Sequence, residues 1–180
     1  MHIENTLKER IISNLANIDR DTFWQLARDF EVPEQVVIES LPESLTTRVG
    51  PAHFEEIMVM VASWGEVWIS VRNEAVTFDI KAMLPLGVLQ QSTYIFVDDP
   101  LYILGGAINT EQLGAIYFIE YDNQELEPER SIHFYDCHGQ AMFNIYLLTS
   151  IENPKAAEQA EYFETLKNRI CGPHGCSCCS

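Results

Sequence analysis

The stretch RSIHFYDCHGQAMFNIYLLT, residues 130–149, decides the fold class. Extended, it alternates: Ile132 and Phe134 point one way, His133 and Tyr135 the other. The run QAMFNIYLLT follows after Cys137, His138 and Gly139, so the three residues read as the tip of a hairpin. One hairpin of this kind commits its surroundings to an antiparallel sheet.

Working outward, the same texture recurs upstream. EVWISVR (66–72) sets Val67, Ile69 and Val71 on one face and Trp68, Ser70 and Arg72 on the other. Asn73 and Glu74 then make a turn into AVTFDI. Three further strands are expected at VLQQSTYIFV (88–97), LYILGGAI (101–108) and GAIYFIEY (114–121). Gly105 and Gly106 inside the second mark a bulge or a close backbone approach. DNQELEPE (122–129) reads as a solvated loop.

The flanks are helical. Ile3, Leu7, Ile11 and Leu15 recur at helical spacing. Asp21 is placed to cap a second helix carrying Phe23, Leu26, Ala27 and Phe30. Pro33 opens a third, ended by Pro42. A fourth begins near Pro51, buries Phe54, Ile57, Met58 and Val61, and stops at Gly65. Asn153 and Pro154 open a last helix through Ile170, with Ala156, Ala160, Phe163 and Leu166 on its buried face. Short loops between strands predict an α+β protein: N-terminal helices, an antiparallel β-sheet and a C-terminal helix. Three segments follow: a helical subdomain over 1–45, the sheet domain over 46–170 and a Cys-rich tail over 171–180.

Several phrases then accumulate in order: VVIESLP (36–42), SWGEV (63–67), LPLG (84–87), SIHFYDCHGQAMFNIYL (131–147) and EQAEYFETLK (158–167). Together they resemble the cytosolic haem utilisation carrier family, ChuX/HutX, from about residue 20 to residue 168. The resemblance implies a large curved sheet, a homodimer, haem held by histidines on its strands, and transfer of haem to a cytosolic acceptor protein. The chain departs from that pattern at the ligands. Arg72 and Ala107 stand where the family carries its histidines, and Leu148, Thr149 and Ser150 replace a Gly-Arg-Asp sequence. Neither alanine nor a protonated guanidinium has a lone pair for iron. Arg72 retains the chemistry to pair with a haem propionate.

Other donors must then be considered. Of five histidines, His2 is terminal, His53 opens a helix and His138 sits at a turn tip beside Cys137. His133 is the strand histidine; its face is either a ligand-binding face or solvent. The tail CGPHGCSCCS (171–180) is the sharper signal, with Cys171, His174, Cys176, Cys178 and Cys179 within nine residues. Thiolates and imidazole suit zinc, copper(I) and iron–sulfur clusters, and a thiolate also ligates haem iron. The expected function is haem binding with coordination by the tail. The alternative is soft-metal binding or thiol exchange on the same fold.

Charge narrows the partners. Twenty-seven acids against eleven bases give a net charge of −16 in 180 residues. That surface repels nucleic acid phosphates and anionic lipids. The third helix, offering Glu34, Gln35 and Glu39, lacks the basic side chains of a DNA reader. No stretch of 18 apolar residues and no signal-peptide pattern is present, so a cytoplasmic protein is expected. No phosphate loop, GxSxG or HExxH appears, and no enzyme is expected.

Overall fold

A computed structural model describes residues 2–14, 18–122 and 127–172. Three helices come first: α1 (His2–Asn14), α2 (Thr22–Asp29) and α3 (Glu34–Glu39). Strand β1 (Thr46–Val49) and helix α4 (Phe54–Val61) follow, then β2 (Glu66–Arg72) and β3 (Thr77–Met83). Next come β4 (Gly87–Gln90), β5 (Thr93–Phe96) and β6 (Ala107–Asn109). The chain continues through β7 (Leu113–Tyr121), β8 (Glu129–Asp136), β9 (Ala141–Tyr146) and α5 (Ala156–Cys171).

The strands make a six-stranded antiparallel sheet in the order β1-β7-β8-β9-β2-β3 and a three-stranded sheet β4-β5-β6. The 130–149 hairpin is the middle of the larger one, with Ile132 opposite Ile145 and His133 opposite Asn144. Its turn closes with Gly139 at φ 78°, a conformation glycine adopts freely.

Side-chain alternation splits the large sheet into two buried faces. Ile116, Phe118, Ile132, Phe134, Ile145 and Ile69 face α4 and α5, against Phe54, Ile57, Phe163 and Leu166. The reverse face carries Tyr117, Ile119, Tyr121 and Tyr135 and is covered by Leu7, Ile11, Phe23, Val37 and Ile38 of the N-terminal helices. The helical segment and the sheet therefore share a core. Gln159 locks α5 to the strand layer: its amide donates to the carbonyls of Trp64 (2.9 Å) and Glu66 (2.7 Å) and its oxygen accepts from Leu148 N–H (3.4 Å). The small sheet attaches through Tyr94, which is fully buried and stands edge-on to Phe54 at 5.4 Å. Gly87 lets that ring in, since a Cβ there would lie 2.2 Å from it.

Local expectations are corrected in four places. The side chain of Asp21 makes no cap bond; Asp19 does that work, accepting from the N–H and hydroxyl of Thr22 at 2.8 and 2.6 Å. VLQQSTYIFV is a hairpin and not one strand, because Gln91 turns at φ 54°. LYILGGAI contributes only its last two residues to β6. Strand β1 is four residues long, too short to show a period.

Candidate functional site

His133 lies on the helix-covered face and is fully buried. Tyr135 Oη donates to Glu34 Oε1 at 3.0 Å, and the same oxygen sits 3.2 Å from His133 Nδ1. With the phenolic proton committed to Glu34, Nδ1 is the protonated ring nitrogen, and Nε2 accepts from Ser131 Oγ at 3.0 Å. Both ring nitrogens, Nδ1 as donor and Nε2 as acceptor, are thus engaged inside the layer. Burial holds the imidazole neutral and pushes its pKa down to about 3. Burial likewise raises the Glu34 carboxyl above its ordinary range, against the opposing pull of the Tyr135 hydroxyl and Arg72. Of the two faces open to His133 on paper, solvent or ligand, it takes neither: it is a satisfied core histidine beneath α2 and α3.

Arg72 ends β2 on the same face. Its guanidinium pairs with Asp21, donates to Thr77 Oγ1 at 3.0 Å and lies 5.2 Å from the Trp24 ring centroid. It fastens α2 to the sheet. A narrow internal space of about 10 Å³, room for one water, lies between Arg72, Ser70, Asn144, Tyr146 and α2.

Ala107 falls elsewhere, in β6. In the small sheet Val88 pairs with Ile95, Ile95 with Ala107, and Val97 N–H bonds Leu86 O at 2.8 Å. Period-two alternation puts Leu86, Val88, Ile95, Val97 and Ala107 on one face, opposite Tyr94 and Phe96. That face is apolar and open: the first four side chains are 38–51% exposed. Ordinary alternation would place polar residues there. Leu101 and Ile103, each 78% exposed, stand in the loop leading into β6. Contiguous exposed apolar surface marks a binding site more often than accident. The sequence alone does not reveal this face: read as one strand, the 88–97 run hides the pairing of its two halves.

The remaining donors separate. His53 is partly exposed and 3.5 Å from Glu56. Cys137 and His138 are exposed on the β8–β9 turn. Cys171 ends α5, packed at the margin of the α4 core. His174, Cys176, Cys178 and Cys179 lie outside the described residues. Among the described residues no group of three His, Cys, Asp or Glu side chains is arranged to hold a metal ion, and no helix is long and apolar enough to cross a membrane.

Residues 47–166 match the model of the haem utilisation family ChuX/HutX. The chain belongs to that family. Among its relatives, the intracellular heme transport protein HutX of Vibrio cholerae is 22% identical over 146 residues, 80% of this chain and 74% of that protein. A crystal structure of an Erwinia carotovora protein superposes with a TM-score of 0.78 at 25% identity, covering 91% of this chain and 98% of the other. The heme-binding protein ChuX gives 0.74 at 22% identity, covering 91% and 98%. Family membership makes this a haem utilisation protein by descent, and the fold spans 98% of each of those two solved chains.

Proposed function

We propose that the protein is a cytoplasmic haem carrier that lays one face of the macrocycle against the outer face of the small sheet. The observation that carries this reading is the open apolar surface of Leu86, Val88, Ile95 and Val97, with Ala107 beside them. A flat, largely apolar ligand fits a flat apolar strand surface. Removing about 200 Å² of apolar area from water contributes about 5 kcal/mol. The face itself offers iron no imidazole, thiolate or phenol. Haem bound there needs a donor from elsewhere, and the terminal thiols are assigned that role. Arg169 of α5 pairs with Glu56 of α4 at 2.5 Å, and Phe54 of α4 meets Tyr94 of the small sheet. The tail thus departs from beside the helix that carries the small sheet. The eight residues after Gly172 extend at most about 28 Å.

The same reading takes the protein as a homodimer serving an acceptor protein. Its support is β3, an edge strand with no partner on its outer side among the described residues and with Phe78 61% exposed. A second reading is favoured by Arg72 and Ala107 at the family's histidine positions: the tail binds zinc, copper or an iron–sulfur cluster, or exchanges thiols, and haem no longer binds.

Haemin titration followed in the Soret band separates them. Saturable binding that weakens in a Val88→Asp/Ile95→Asp variant, with a changed band after truncation at Gly172, supports the carrier. No saturable band, with stoichiometric zinc, copper or iron in elemental analysis, supports the second reading. Haem recovered intact after incubation with reductant and oxygen separates a carrier from an enzyme.

A further inference from the structure

A cavity of about 330 Å³ lies on the α5 side of the large sheet, between the start of β8, the chain leaving β9 and the first two turns of α5. Its size is at the small end of the range for ligand cavities. Its lining is mostly apolar, with Leu147, Leu148, Pro154, Ala156, Ala157 and Ala160. The three alanines leave space on the helix side that larger side chains would fill. No residue of the lining belongs to the outer face of the small sheet.

The polar lining is spent within the fold, with one exception. Glu127 accepts from Ser150 N–H at 2.9 Å, Glu129 pairs with Arg20 at 2.7 Å, and the Thr149 hydroxyl donates to Glu152 at 3.1 Å. Arg130 is the exception. Its side chain is only 21% exposed. Its Nε approaches Glu120 Oε2 at 2.6 Å, but out of line: both atoms are buried and neither makes a hydrogen bond. Glu164 Oε1 stands 4.0 Å from the same nitrogen, beyond hydrogen-bond reach. Among the described residues no hydrogen bond reaches Nη1 or Nη2. A guanidinium carries five N–H donors in one plane. Largely buried donors without acceptors are unfavourable until something accepts from them.

The surrounding charge selects the acceptor. Around the cavity Glu120, Glu127, Glu129 and Glu164 stand against Arg20, Arg130 and Lys167, four negative groups against three positive. A carboxylate entering here meets net negative charge, in a chain that carries −16. An ammonium meets the guanidinium and finds the lining carboxylates already engaged. A neutral acceptor avoids both penalties. We infer that the cavity binds a small, neutral aliphatic carbonyl compound of the ketone, ester or amide class. Its chain lies on the alanines and leucines, and its oxygen accepts from Arg130. Such a ligand differs in size and charge from a carboxylate-bearing macrocycle, and the cavity binds it wherever haem sits.

The test uses the full chain and three probes of matched length: methyl pentyl ketone, hexanoate and hexylammonium. Binding is followed by NMR titration of the Arg130 Nε–H and Ala160 methyl resonances. Ala160→Leu fills the cavity from a helix position where leucine is well tolerated. Arg130→Lys keeps the charge beside Glu120 but removes the planar set of donors. Val88→Asp/Ile95→Asp alters the other apolar surface, on the small sheet. The cavity predicts saturable ketone binding at millimolar concentration or below, with both resonances shifted. Hexanoate and hexylammonium should bind at least tenfold more weakly. Ketone binding should be lost in Ala160→Leu, at least fivefold weaker in Arg130→Lys and unchanged in the small-sheet variant. Hexanoate or hexylammonium binding as tightly as the ketone overturns the proposal, as does wild-type affinity in Ala160→Leu or Arg130→Lys. So does loss of binding in the small-sheet variant, or no binding at millimolar ketone. Matching unfolding midpoints show that the variants are compared as folded proteins.

Discussion

Replacing His133 by glutamine should flatten the acid limb of the stability curve. The imidazole is fully buried with a pKa near 3, against 6.5 when exposed in the unfolded chain. The unfolded state thus binds more protons between those values. Stability contributed by the neutral ring is complete above about pH 6.5 and is lost as pH falls towards 3. Working the linkage through, the loss between pH 7 and pH 5 is about 2 kcal/mol, rising to about 5 kcal/mol below pH 3. The groups facing the ring are Glu34 from α3, Tyr117 from β7, Tyr135 and Ser131 from β8, Tyr146 and Asn144 from β9, and Phe23 from α2. Of these only Glu34 is a carboxylic acid. Its raised pKa acts with the opposite sign, stabilising the fold as pH falls and losing that contribution as pH rises through its folded value. Urea unfolding at pH 7, 6 and 5 checks the sum. The wild type should lose about 2 kcal/mol more over that range than His133→Gln, whatever the variant loses at pH 7. Adding Glu34→Gln to both proteins removes the compensating group and should steepen both curves alike. Parallel curves for wild type and His133→Gln would refute the account of a neutral, sealed imidazole.

Other perturbations have expected sizes. Gln159→Leu strands the carbonyls of Trp64 and Glu66 and the Leu148 amide, and should lower the free energy of unfolding by about 2–4 kcal/mol in a urea titration. Gly87→Ala drives a methyl into the Tyr94 ring; about 1–3 kcal/mol of destabilisation is expected, with the Tyr94 near-ultraviolet signal altered. Arg72→Ala removes a half-exposed pair with Asp21 and a contact with Trp24, so thermal denaturation should show a loss of about 1 kcal/mol or less. Changing Cys171, Cys176, Cys178 and Cys179 to serine should leave the unfolding midpoint nearly unchanged while shifting the Soret band of the haem complex. An unchanged band would remove the tail from the iron.

The hairpin at 130–149, the amphipathic helices and the order of the family phrases were all legible in the residues. Period-two and helical spacing are local properties, and residues such as Ile132 and Phe134 declare their common face without help. The breaks were legible less well. Gln91 turns the chain without glycine or proline, and Leu101–Gly105 looks like a strand yet joins no ladder among the described residues. A strand exists only when a neighbour takes its hydrogen bonds, and that neighbour is distant in sequence.

What the chain by itself determined was which residues alternate and where helices begin. Tertiary structure alone decided what each face meets. His133 alternates with Ile132 in any extended strand, but only α2 and α3 folding over it make it a sealed, neutral group. Leu86, Val88, Ile95 and Val97 look like core in sequence, yet the pairing of β4 with β5 and the seating of Tyr94 turn them outwards. The physical reason is that alternation fixes which side chains share a face, while burial depends on which distant segment comes to cover it.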